Sequence, residues 1–137
     1  MLKRGAMAAP GYSRLYGSTG TVFVAVGAVF FPAFLAFLTT GRSPVPTNVV
    51  GHYFVAFAAS ALVGWGLCLR AAARDAGLRA ALAVPTAVGL ALMGLYRIII
   101  VVASAELRVW AGWVPAGEAV ACAVLAVSFV RARTKRL

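Results

Sequence analysis

Apolar residues run almost unbroken through four stretches of the chain, at about 22–38, 49–69, 80–105 and 114–130. Between them gather glycine, proline, hydroxyl and charged residues. A bilayer core about 30 Å thick needs roughly 20 apolar residues at about 1.5 Å of helix rise each, so each stretch matches or approaches one crossing. The stretches are apolar all round, with no polar face of helical or strand period, as expected of helices whose solvent is lipid. The pattern predicts an all-α fold, an integral membrane four-helix bundle.

The punctuation supports this division. Residues 1–20, MLKRGAMAAPGYSRLYGSTG, are basic and rich in small residues, and read as a loose arm. The first span holds Pro32, which should kink it by removing a backbone bond and crowding the preceding turn. The span reads as an uncleaved anchor, since it is long for a signal peptide and no clear small-x-small site follows. TTGRSPVPTN at 39–48 reads as an external turn. RAAARDAG closes the second span and turns through Gly77, and Pro85 falls early in the third, where it is tolerated. Ala56, Ser60 and Gly64 recur at four-residue spacing, the signature of a close helix–helix seam. Trp110 and Trp113 mark an interfacial belt before the last span, and 132–137 forms a basic tail.

Composition agrees with lipid as the solvent. Of 137 residues, 63% are hydrophobic and 12% charged, which leaves no room for a soluble catalytic domain beside four spans. The formal charge of +10 would suggest nucleic acid in a soluble chain, but its placement points elsewhere. Ten of the thirteen basic residues fall before the first span, between the second and third, or after the last. Only Arg42 and Arg108 occupy the other two loops. This asymmetry predicts both termini and the middle loop on the cytoplasmic side, as in a bacterial inner membrane. The partners it implies are membrane lipids, with the tail RARTKR suited to anionic headgroups, and no nucleic acid. The bias toward Ala, Val, Gly and Arg fits a GC-rich bacterial genome.

Two charges lie inside spans, Arg97 in ALMGLYRIIIVV and Glu118 in WVPAGEAVACAV. The third and fourth spans form a hairpin centred near residues 107 and 108, and both positions lie nearly equally far from that centre. They should therefore share one depth and pair, because an Arg fork can take a carboxylate and an unpaired charge in hydrocarbon is far more costly. His52 and Tyr53, near the outer end of the second span, and Tyr96, beside the arginine, belong to the same half of the membrane. His52 shares a helical side with Ala56 and Ala59, so it should point into the bundle and could reach the pair. These five residues are the candidate ligand-binding set. Two readings stay open: a structural clip, or a site for a small amphipathic ligand, lipid or ion.

Established membrane chemistries mostly fail against this inventory. A single histidine cannot supply two-histidine haem ligation, metal ligands are lacking, and no cofactor is expected. Cys68 and Cys122 lie at different depths and form no Cys-x-x-Cys, which argues against both a disulfide and thiol redox work. A proton-coupled small multidrug exporter would carry a glutamate in its first helix, and this first span has no ionisable residue. A phage holin shares the small size and basic tail but has no need of a charge-paired pocket.

From about residue 50 to 137 the chain resembles an uncharacterised group of four-helix bacterial membrane proteins known only as a domain of unknown function. The residues that carry the likeness are GWGLCLRAAARDAGLRAAL, the Gly-x-x-Arg step GLYR ending at Arg97, and Glu118 early in the last helix. The resemblance implies the topology and the Arg97–Glu118 pairing, and no established activity. The reading is thus a small multi-pass membrane protein, leaning to a non-enzymatic module with an outer-half polar pocket. The alternatives are an accessory subunit of a larger complex, using span one and the arm as contact surface, or a small enzyme with Glu118 as general acid or base and His52 as its partner. A homo-oligomer is compatible with the first reading, and a larger membrane complex with the second.

Overall fold

In a computed structural model, residues 10–42, 49–105, 109 and 111–134 are described. They form four long helices and, among the described residues, no strand: α1 (Pro10–Thr40), α2 (Val49–Arg74), α3 (Ala76–Ala103) and α4 (Val114–Thr134). Each helix contains a segment long and apolar enough to cross a membrane. The chain divides into two compact units, Met1–Arg79 and Ala80–Leu137, taken in turn below.

In the first unit, α1 starts at Pro10, so the second half of the segment expected as a loose arm is helical. Proline suits this first position, since its fixed φ is helical and its missing N–H would have no helical acceptor there. Ser18 and Thr21, which could have competed with the helix, turn their hydroxyls back onto the carbonyls of Arg14 and Gly17, at 2.8 and 2.9 Å. The helix then continues through Pro32 without interruption. Unravelling a turn would free further backbone groups, whereas proline forfeits one bond.

α1 and α2 pack antiparallel at backbone contact. A Cβ placed on Gly20 would lie 2.6 Å from the Gly66 carbonyl oxygen, and one on Gly66 would lie 2.6 Å from the Gly20 carbonyl oxygen. Only two facing glycines permit this approach. The seam continues through Gly27 against Ala59 and Val63, and through Gly17 against Ala73. It therefore uses the α2 positions 59, 63, 66 and 73 rather than the expected Ala56, Ser60 and Gly64. Ala56 is buried, but Ser60 is exposed and a Cβ on Gly64 would meet nothing within 4 Å. Hydropathy could not separate these neighbouring faces, because both consist of small or apolar residues.

The turn between α2 and α3 is a single residue, Asp75, and not Gly77, which lies in the first turn of α3. Asp75 caps α3: its Oδ1 accepts the Leu78 N–H at 2.9 Å, satisfying a donor that the helix itself leaves unpaired.

In the second unit, α3 and α4 form the expected hairpin. The segment 106–108 at its tip and Trp110 lie outside the described residues, while Trp113 is exposed. The Trp113 carbonyl accepts the N–H groups of Ala116 and Gly117, both at 3.1 Å, which starts α4 with Pro115 in its first turn. A Cβ on Gly94 would lie 3.3 Å from the Ala119 carbonyl oxygen and 3.3 Å from the Cys122 Cβ, so this glycine marks the crossing of the two helices. Cys68, in the first unit, and Cys122, in the second, are both free thiols.

Candidate functional site

The crossing at Gly94 sets the register of the site. One turn further along α3, Arg97 sits opposite Glu118 and donates from Nε to Glu118 Oε2 at 2.5 Å. This is the pairing expected from the equal distances of the two residues to the hairpin tip. The GLYR step thus has a physical basis: its glycine lets α4 close in, and its arginine reaches the carboxylate. At about 1.5 Å per residue, Arg97 lies about 9 Å from the end of α3 at Ala103 and Glu118 about 6 Å into α4.

The contact differs from a two-bond fork. A single guanidinium nitrogen meets the carboxylate, while Nη1 bonds weakly back to the Met93 carbonyl at 3.4 Å. The pair is also incompletely enclosed, since the Arg97 side chain is 29% exposed and that of Glu118 50%. A carboxylate has about four acceptor positions and a guanidinium five donors, so much of the hydrogen-bonding capacity of both groups is left over.

The other expected site residues are distributed differently. Tyr96 is 62% exposed and, among the described residues, makes no hydrogen bond to the pair. Adjacent helix positions are turned about 100° from one another, so a neighbour of Arg97 in sequence need not share its face. His52 and Tyr53 lie in the first turn or so of α2, as expected, but their side chains lie outside the described residues. The reach of His52 to the pair therefore stays an expectation from the sequence. Among the described residues no group of three or more His, Cys, Asp or Glu could hold a metal ion.

A second polar cluster was not anticipated. Arg79, read above as a topology charge, is 7% exposed and folds back over the end of α2. Its Nη1 donates to the carbonyls of Ala72 and Ala73 at 3.1 and 2.7 Å, where a cation also meets the negative end of the helix dipole. From α1, the buried Tyr16 donates its hydroxyl to the Arg79 carbonyl at 2.6 Å. Arg79 Nε is buried without a partner among the described residues. These contacts tie the start of α1 to the α2–α3 turn. The available sequence signals were an arginine four residues after a capping aspartate and a tyrosine in a segment otherwise rich in small residues.

A groove of about 430 Å³ between α1 and α2 is lined by Gly27, Ala28, Pro32, Ala59, Ser60 and Val63. Its one side-chain hydroxyl, on Ser60, is engaged with the Ala56 carbonyl at 3.0 Å. No family model, curated protein or solved structure matches the chain. The chemistry of the site must be argued from its own residues.

Proposed function

We propose that the chain is a small multi-pass protein of a bacterial cytoplasmic membrane, with both termini inside, which binds a lipid-like or other small amphipathic ligand at the Arg97–Glu118 pair. The observation that supports this reading is the incomplete enclosure of a charge pair within two helices of spanning length. In water such a pair completes its solvation from the solvent. Several ångströms below a membrane surface, each unsatisfied donor or acceptor is costly, and an ion pair left half open calls for another polar group.

An apolar molecule carrying one acceptor and one donor meets that need. Its acceptor faces the guanidinium, its donor faces Glu118, and its apolar body lies in hydrocarbon beside the helices. A purely structural clip would favour full enclosure, because water and lipid exchange on an open pair weaken it.

The test is purification from native membranes in mild detergent followed by native mass spectrometry. The expected result is a discrete monomer or homo-oligomer that retains an amphipathic molecule. Stoichiometric foreign subunits would favour the accessory-subunit reading, and a bare protein released from the same membranes would count against ligand binding.

A further inference from the structure

We infer that Arg14, Arg70 and Arg74 form a binding site for the phosphate of an anionic phospholipid, at the end of the α1–α2 pair opposite the α1–α2 connection. The inference rests on the helices spanning a bilayer and is independent of the Arg97–Glu118 ligand. Packing gathers the three arginines. Gly17 faces Ala73, and Gly20 faces Gly66 and Arg70, so antiparallel register brings Arg14 to the level of Arg74. A Cβ on Gly20 would lie 2.9 Å from the Arg70 Cγ, which shows the Arg70 stem lying across the α1 backbone at that glycine. All three side chains belong to exposed residues.

Nothing acidic on these helices offsets them. Asp75, next to Arg74 in sequence, accepts at the α3 N-cap through Oδ1, and among the described residues no salt bridge joins it to these arginines. The α2 carbonyls that could have held these cations are occupied by Arg79, which donates to Ala72 and Ala73. Arg70 and Arg74, one helical turn apart, share a side of α2 and lie near the level of Arg14, and an external anion at this level reduces the repulsion among these exposed charges. A phosphate accepts paired N–H donors from a guanidinium fork, and at this end of the helices the headgroup layer of a bilayer supplies it. The turn below the patch is held by the Tyr16–Arg79 bond, so the arginines project from a fixed base.

The site is tested on the purified full chain in nanodiscs of phosphatidylcholine containing a minor fraction of phosphatidylglycerol, with retained lipids counted by native mass spectrometry. Each of Arg14→Gln, Arg70→Gln and Arg74→Gln should reduce preference for the anionic lipid about fivefold, the factor for about 1 kcal/mol per basic side chain at a membrane surface. Arg42→Gln, at the other end of α1, should leave it unchanged. Arg→Lys changes keep the charge and the fold and should give a smaller loss, since an ammonium lacks the paired donors. Equal preference in the wild type and all three glutamine variants would overturn the inference. So would equal competition by inorganic phosphate, which would point to a free anion instead of a lipid.

Discussion

Replacing Gly20 by alanine adds one methyl group at the tightest point of the α1–α2 seam. The new Cβ would lie 2.6 Å from the Gly66 carbonyl oxygen and 3.0 Å from the Arg70 nitrogen. An unstrained carbon–oxygen contact is about 3.3–3.6 Å, so the helices must separate locally by about 0.7–1.0 Å. Both obstructing atoms are backbone and cannot rotate aside. Overpacking of this kind costs about 1–3 kcal/mol, against which alanine recovers up to about 1 kcal/mol of helix propensity. A net loss of about 1–2 kcal/mol follows. Gly66→Ala should cost a similar amount, and the double variant less than the sum, because the first displacement makes room for the second methyl. Gly64→Ala is the control: a Cβ there meets nothing within 4 Å, and the substitution should be neutral or stabilising. Thermal unfolding in detergent, followed by circular dichroism, measures all four. If Gly20→Ala and Gly64→Ala melt alike, the seam is not where we place it.

Three further outcomes are expected. In a double-mutant cycle on Arg97→Leu and Glu118→Leu, each single change should destabilise more than the pair does, with a coupling of about 1–3 kcal/mol, below the 3–5 kcal/mol of fully buried pairs because this one is partly open; additive losses would show no coupling. Tyr16→Phe removes the bond to the Arg79 carbonyl and should cost about 0.5–1.5 kcal/mol in the same melting assay, the net worth of one hydrogen bond, since that carbonyl keeps its place in the α3 helix; an unchanged melt would mean that the start of α1 is not anchored there. For orientation, a cysteine introduced at Ser43 should react with an impermeant thiol reagent on intact cells and one at Thr134 should not, and the reverse pattern would refute the assignment of both termini to the cytoplasmic side.

The parts legible in the sequence were those set by length and hairpin geometry. Four apolar runs correspond to four helices, and equal distances from the hairpin tip match Arg97 with Glu118. Which face of a helix meets its neighbour was much less legible. Where every side is apolar, the contact is decided by where glycines on two helices coincide, and Gly20 can only be matched with Gly66 once the register is known. The second role of Arg79, beyond its charge, is hidden in the sequence for a related reason. Positive charge in a loop is ordinarily a topology signal, and nothing in the residue itself distinguishes a solvated arginine from one folded onto the end of a helix. Residues 10–20 likewise read as loose because their small and hydroxyl residues are poor helix formers, whereas tertiary contact through Tyr16 and Gly17 holds them in the helix.

The central claim is that the Arg97–Glu118 pair is a binding site and more than a clip, and Glu118→Gln tests it most directly. The substitution keeps the size of the side chain and an oxygen that Arg97 Nε can still reach, while it removes the charge that holds the donor of a ligand. The measurement is made on a single preparation: the melting temperature and the amount of amphipathic molecule retained by the purified protein. Retention should fall by at least ~10-fold, while melting shifts by no more than a few degrees. Retention equal to wild type, or a loss of retention that merely follows collapse of the fold, would contradict it.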